Sequence, residues 1–351
     1  MDSRLRGNDD ERENKMLGNP MIYASIVALA LPLPALAEDC QGLQIGVNLA
    51  GPEFGPPRGR YGYTYIYPNE AELDYFTGKN LRLIRLPLRW ETLQPVLDGP
   101  LDPAELGRVA EFLHLAQAKG AKVLIDLHNY GRYDNAVLGS PGLPDSAFAD
   151  VWAKLAEALH GAPALWGYGL MNEPHDMGGP AVWPAAAQAA IAAIRRVDAA
   201  TPIVVAGDGW SGAVRWDSVN GELAHQLQDP AHKLVFEAHA YLDHDGSGSY
   251  RGDYDAEKAS PTTGTDRLKP FLAWLEDQHA QGIIGEMGVP GNDPRWLTAL
   301  DNSLMALCQH HVPLTYWAAG PWWGPNYSQS IEPDHGHDRP QMQIIERYIH
   351  K

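Results

Sequence analysis

The sequence predicts an α/β protein folded as a single (β/α)8 barrel of the TIM type. Three observations carry that prediction. Eight short apolar runs recur along the chain, amphipathic stretches of helical period separate them, and no Gly-x-Gly-x-x-Gly turn follows an early run. Strands that alternate with helices pair in parallel. Closing eight of them into a barrel takes about 250 residues or somewhat more. An open, doubly wound sheet is the alternative, and it would usually carry a Gly-rich phosphate turn.

The elements follow in order. IGVNLA (45–50), LRLIRLP (81–87), KVLIDLH (122–128), LWGYGLMNE (165–173), PIVVAGDGW (202–210), LVFEAHAY (234–241), GIIGEMGV (282–289) and LTYWAAG (314–320) read as strands. PAELGRVAEFLHLAQAKG (103–120) has apolar residues at helical spacing and a Gly stop. DSAFADVWAKLAEALHG (145–161), WPAAAQAAIAAIRRVDAA (183–200), TDRLKPFLAWLEDQHAQG (265–282) and PRWLTALDNSLMALCQHH (294–311) behave likewise, and QMQIIERYIH (341–350) is the last helix. The barrel takes up residues 38–351 as one catalytic domain, with no Ser/Thr/Pro-rich linker and no second module.

The 351 residues carry a formal charge of −17. Nucleic acid and anionic membranes need a basic face, so neither is expected as a partner. A neutral polymer is not repelled. The 11 Trp and 15 Tyr against 6 Phe suit sugar-ring stacking, although most such residues serve in cores. Residues 21–37 form an apolar run that ends in Ala35-Leu36-Ala37, an A-x-A cleavage site. Residues 1–37 are therefore read as a signal peptide with a candidate misassigned start at 1–15, and the mature protein as secreted or periplasmic. Cys40 and Cys308 are the only cysteines. They are either one disulfide or two free buried thiols.

In such a barrel the chemistry sits at the C-terminal ends of the strands. Polar residues concentrate there: Arg85, His128, Asn129, Asn172, Glu173, His239, Tyr241, Glu286 and Trp317. A buried Glu or Arg without a partner is costly, so their convergence on one rim is hard to explain as packing. Glu173 and Glu286 each end an apolar run. Two carboxyls facing across a cleft are what acid-assisted cleavage of a glycosidic bond requires.

Taken together, RLPLRW (85–90), DLHNYGRY (126–133), LMNEPHD (170–176), FEAHAYLDHDGSG (236–248), GEMG (285–288) and YWAAGPWW (316–323) resemble glycoside hydrolase family 5, in order and over roughly residues 44–350. The HAYLDHDGSG and AGPWW stretches look most like its fungal-type endoglucanase subfamily. The resemblance implies a retaining endo-β-1,4-glucanase that acts on β-glucan or cello-oligosaccharides. Glu173 would be the acid/base and Glu286 the nucleophile. Asn172 would bind the sugar 2-hydroxyl, Arg85 would hold Glu286 ionised, and Tyr241 would donate to Glu286. His128 and His239 would line the glycone subsite, with Asn129 beside them, and Trp317 would be its floor. Each has a plainer reading, a rim ion pair for Arg85 and ordinary rim histidines for the other two. Trp322 and Trp323 are core or sugar platforms. Trp90 and Trp210 are weaker candidates for outer subsites, more readily explained by packing. No cofactor or metal is expected: DHGHD (334–338) reads as a solvated loop, and DHDGSG (243–248) lacks the acidic ligand of a Ca²⁺ loop. A monomer is expected. The rivals are a hydrolase of β-mannan, xyloglucan or mixed-linkage glucan on the same fold, and a non-catalytic carbohydrate-binding protein.

Overall fold

Strands without polar alternation need cover on both faces. A closed sheet ringed by helices supplies it. In the computed structural model, which describes residues 40, 42–324 and 326–349, the strands are β1 (Ile45–Leu49), β2 (Leu83–Leu88), β3 (Lys122–Leu127), β4 (Arg132–Tyr133), β5 (Ala136–Val137), β6 (Leu165–Gly169), β7 (Ile203–Ala206), β8 (Leu234–His239), β9 (Gln281–Met287) and β10 (Leu314–Ala319). Eight of them close a parallel barrel in the order β1-β10-β9-β8-β7-β6-β3-β2, and β4 and β5 form a small antiparallel hairpin beyond β3. All eight apolar runs are barrel strands. The signal-peptide reading of residues 1–37 lies outside the described residues. Among the described residues no helix is long and apolar enough to cross a membrane.

The predicted helices are α3 (Pro103–Ala118), α4 (Asp145–Leu159), α5 (Val182–Arg195), α8 (Thr263–Gln278), α9 (Pro294–Gln309) and α10 (Pro340–Ile345). Their starts are written locally. Asp102 accepts hydrogen bonds from the Ala104 and Glu105 amides ahead of a Pro at the first turn, and Asp293 caps α9 in the same way. Helix α5 stops short of 200 because Asp198 turns back to accept from the amides of Ala200 and Thr201. The short helices α2 (Trp90–Leu93), α6 (Trp216–Asn220) and α7 (Leu223–Gln226) were not foreseen, nor was the longer α1 (Glu70–Gly78). It buries few apolar side chains, and an Asn69/Glu72 capping box starts it.

The barrel interior is layered with period two. Leu83, Leu124, Val204, Val235 and Ile283 form a separate apolar cluster that plugs the N-terminal half. Two residues further along β2, β3 and β8 stand Arg85, Asp126 and Glu237, all buried. The interior therefore changes from apolar to ionic within one step of the pleat. Strand β9 breaks the alternation. Its pairing with β8 shifts between Ala238–Ile284 and His239–Glu286, a one-residue bulge that turns Glu286 toward the mouth beside His239.

One expectation is corrected, and an alternative left open by the sequence is decided. Arg85 does not end its strand: it is the third residue of β2, inside the barrel. Cys40 and Cys308 are not bonded. Both are free, buried thiols, and burial, followed by the hydrogen-bonding Cys40 beside it, pushes the Cys308 thiol up to about 12.

Packing between helices and barrel yields a stability prediction. Trp152 on α4 is fully buried, lies edge-on to Tyr168 and donates from Nε1 to the Leu170 carbonyl at 3.1 Å. Trp152→Ala opens a cavity and strands that carbonyl, so urea unfolding should show a loss of about 3–5 kcal/mol. A loss below about 1 kcal/mol would contradict this packing role.

Candidate active site

A guanidinium at mid-strand organises the site. From Arg85, Nη1 donates to Asn48 Oδ1 at 2.9 Å and to Glu286 Oε1 at 3.2 Å, and Nη2 donates to Asn172 Oδ1 at 2.7 Å. Ion pairs join Nε to Glu237 Oε1 at 2.9 Å and Nη2 to Asp126 Oδ2 at 3.2 Å. Burial opposes the Arg85 charge, but Asp126, Glu237 and Glu286 outweigh it and hold the group above its usual range.

Glu286 is the carboxyl that this guanidinium serves. Its second oxygen accepts from the Tyr241 hydroxyl at 2.6 Å. Burial and then Glu286 raise Tyr241 well above its usual value, so it stays a donor. Glu173 stands at the mouth after β6. Its Oε1 lies 2.7 Å from His239 Nδ1, and its backbone has φ +43°, the left-handed region that a glutamate seldom occupies. Oxygens of Glu173 and Glu286 and a ring nitrogen of His239 all lie within 4.8 Å of one another. Among the described residues this is the one group of His, Cys, Asp or Glu with ion-binding spacing. A cation there would compete with Arg85 and with the His239 proton.

The two histidines differ in charge. Burial lowers His128 to about 3, against the opposing pull of Glu286, so its ring is neutral. Its Nδ1 faces Asp126 Oδ2 at 2.9 Å and its Nε2 faces Asn172 Nδ2 at 3.3 Å. With the proton on Nδ1, Nε2 accepts from Asn172. The Asn172 amide is then fixed, its oxygen toward Arg85 and its nitrogen toward the cleft side. Burial also raises Asp126 to about 7 in spite of Arg85.

Aromatic rings form the walls. Trp317 is half-buried and stacks on His128 with centroids 5.5 Å apart and planes 10° apart. Trp323 meets Trp317 edge-on and stacks on Tyr327, and Trp322 is exposed beside it. On the Glu173 side a cleft of about 690 Å³ is lined by Tyr130, His175, Trp210, His239 and Tyr241. Trp210 is 46% exposed and lies flat on His175, centroids 3.4 Å apart. A larger hollow of about 1100 Å³, near α5 and α8, contains none of these groups.

Two readings change, those of Asn129 and Trp210. Asn129 does not face the cleft: its oxygen accepts from the Trp90 amide and its nitrogen donates to Glu91, both at 2.7 Å, so it pins the loop after β2. Trp90 is core, whereas Trp210, the residue discounted with it, is a cleft ring. In DHDGSG, Asp243 accepts from the amides of Gly248, Ser249 and Tyr250 and ties its own loop. Asn48, Asp126, Glu237 and Tyr130 were not anticipated. The first three left a trace, a single polar letter inside an apolar strand run.

Known proteins carry the same architecture. The family model for cellulase (glycosyl hydrolase family 5) matches residues 42–322. The chain belongs to glycoside hydrolase family 5. Endo-beta-1,4-glucanase B of Aspergillus niger is 34% identical over 310 residues, 87% of this chain and 89% of that protein. The Pseudomonas stutzeri endoglucanase Cel5A, solved in complex with cellobiose, is 42% identical with a TM-score of 0.84, covering 88% of this chain and 93% of that one. XacCel5A, solved with cellopentaose, is 37% identical with a TM-score of 0.82 and covers 87% of this chain and 99% of that one. The structure brings Arg85, His128, Asn172, Glu173, His239, Tyr241, Glu286 and Trp317 into one connected cluster.

Trp317 tests the wall. It is half-exposed at the mouth, so Trp317→Ala should change the melting temperature little. Losing an aromatic anchor of about 2 kcal/mol or more should lower kcat/KM roughly thirtyfold. If melting collapses while activity per folded molecule is unchanged, Trp317 is a core residue and Trp322 or Trp323 takes the role.

Proposed function

We propose that this family 5 hydrolase is a retaining endo-β-1,4-glucanase acting on β-glucan and cello-oligosaccharides, exported by the segment at residues 21–37. The carboxyl gap supports the stereochemistry. Selected oxygens of the two carboxyls approach within 4.8 Å, which favours the roughly 5–5.5 Å separation of retaining enzymes over the about 6.5–9.5 Å of inverting ones. The substrate assignment is supported by the glucanase relatives and by neighbours that hold cellobiose and cellopentaose.

The roles follow from the surroundings. Glu286 sits at 3.2 Å from a guanidinium and 2.6 Å from a phenol. These hold its anion in place for in-line attack on the anomeric carbon. As that bond forms, the glycosidic C–O bond breaks and Glu173 gives its proton to the departing oxygen. Water then enters on the side the leaving group vacated. Glu173 takes a proton from it, oxygen bonds to the anomeric carbon, and Glu286 departs as carboxylate. Asn172, with its oxygen held by Arg85, is left to hydrogen-bond the sugar 2-hydroxyl, a contact that strengthens in the transition state. Tyr130, His175 and Trp210 line the acid/base side, where the leaving sugars would lie.

Replacement of each glutamate separates the roles. Glu286→Gln should abolish turnover on every substrate, because no other group is placed to attack. Glu173→Gln should lose about 10²–10⁴-fold on cello-oligosaccharides and much less in the first step on an activated aryl β-cellobioside. Azide should partly restore it by forming a β-glycosyl azide. Equal loss on all substrates with no azide product would reverse the assignment.

Stereochemistry offers a second check. Proton NMR of early hydrolysis should show the β-anomer first. An α-anomer formed first would rule out the double displacement. Product analysis over a panel of β-glucans, mannan and xyloglucan tests the substrate: fastest release of mixed cello-oligosaccharides is the expected outcome.

A further inference from the structure

His239 presents both ring nitrogens to carboxylates. Nδ1 lies 2.7 Å from Glu173 Oε1, and Nε2 lies 3.2 Å from Glu237 Oε1. A neutral imidazole offers one donor and one acceptor. Facing two carboxylate oxygens, the ring carries two N–H groups, unless one of the carboxyls takes a proton and turns it toward the ring. If that carboxyl were Glu173, the proton needed by the leaving group would point at His239 instead. Glu237 decides between these arrangements. It is buried on β8, and its Oε1 is also 2.9 Å from Arg85 Nε. Its place exists because residue 285 is glycine: a Cβ there would lie 1.8 Å from Glu237 Oε1. The barrel thus keeps a carboxylate behind the histidine, away from the cleft.

We propose that Glu237 is a positioning residue that keeps His239 doubly protonated, so that Nδ1–H fixes one oxygen of Glu173 and leaves the other to carry the proton for the leaving group. The groups around this pair are Arg85 on β2, Asp126 on β3 and His128 just beyond it, Glu173 after β6, and Glu286 on β9. Arg85 is the one cation among them, and a second cation near it, His239, needs a counter-charge. Burial opposes the His239 charge, while Glu286 and the hydrogen bonds to Glu173 and Glu237 together raise the ring to about 10. Glu237 lies below its usual value despite burial, owing to Arg85 and His239.

The kinetic arm of the test rests on the glucanase reading. Glu237→Gln keeps the shape and an acceptor oxygen but removes the charge. The Glu173–His239 pair should then hold its two protons less well. The alkaline limb of kcat/KM on cellotetraose should move down by about one pH unit or more. An activated aryl β-cellobioside, which needs little protonation, should be spared. If Glu237 merely packs against Arg85, both substrates lose equally and the limb stays where it was, which overturns the proposal. The second arm needs neither a variant nor a sugar. ¹⁵N-histidine NMR of the unaltered protein should find both His239 nitrogens protonated at about pH 8, above the usual range of histidine. A neutral His239 there overturns the proposal even if the enzyme hydrolyses glucan. A doubly protonated ring supports it even if the substrate proves to be another polysaccharide.

Discussion

Everything in the site is referred to one buried cation. Arg85 touches groups from five places in the chain: Asn48, Asp126, Asn172, Glu237 and Glu286. Removing a guanidinium from water costs several kcal/mol even after relaxation, and only excellent geometry with satisfied hydrogen bonds recovers it. That requirement makes the arrangement specific. Asn172 can turn its oxygen only toward Arg85, which sends its nitrogen to His128 Nε2, and His128 must then carry its proton on Nδ1 toward Asp126. A proton position at one side of the cleft is fixed by a charge at the centre of the barrel. Removing one carboxylate from such a set leaves the cation under-compensated, so these residues act as a unit and single replacements will not add.

The backbone places this network at the mouth by two departures from regularity. The pleat alone would send residues 283 and 285 inward and residue 286 outward. The bulge in β9 brings Glu286 inward after Gly285, opposite His239. Gly285 is then doubly constrained, since any side chain would collide with Glu237. The second departure is the left-handed backbone at Tyr130, Glu173, Trp210 and Ser211. Three of these side chains line one cleft. Such conformations cost of order 1–3 kcal/mol each, and the surrounding packing must supply that. The Trp210 amide, for example, donates to the Pro174 carbonyl, and Ser211 Oγ accepts from the Gly207 amide and donates to the Glu237 carbonyl.

Much of this was legible in the residues. Eight apolar runs became eight strands because parallel barrel strands are covered on both faces and show no alternation to mislead the eye. Most of the polar cluster at the mouth was legible because its members end those runs, where a polar letter has no packing use; Arg85, inside its strand, is the exception. What escaped had a physical reason in each case. Asn48, Asp126 and Glu237 sit inside runs rather than at their ends, and recognising them needs the interior parity that only pairing supplies. Tyr130 and Trp210 reach the cleft through backbone angles that no side chain announces. Asn129 carries the same amide as Asn172, and only the direction of its neighbours turns it toward the Trp90 amide instead of sugar. For the cysteines, distance was the missing quantity.

On the roles proposed above, the two glutamates show how one chemical group is made to serve two ends. Both are carboxyls at strand ends of one barrel, and one histidine nitrogen, His239 Nδ1, lies 2.7 Å from Glu173 and 3.6 Å from Glu286. Glu286 is buried and met by a guanidinium and a phenol, donors that cannot accept a proton from it in return. That is a fixed anion in a fixed direction, which is what attack on carbon requires. Glu173 is more exposed and is met by His239, a group that can itself gain or lose a proton. In the proposed double displacement it must be loaded with a proton in one step and unloaded in the next. Pairs of carboxyls are driven to different roles by unlike environments, and here the difference is the kind of partner: a permanent cation for the proposed nucleophile, a titratable one for the proposed acid.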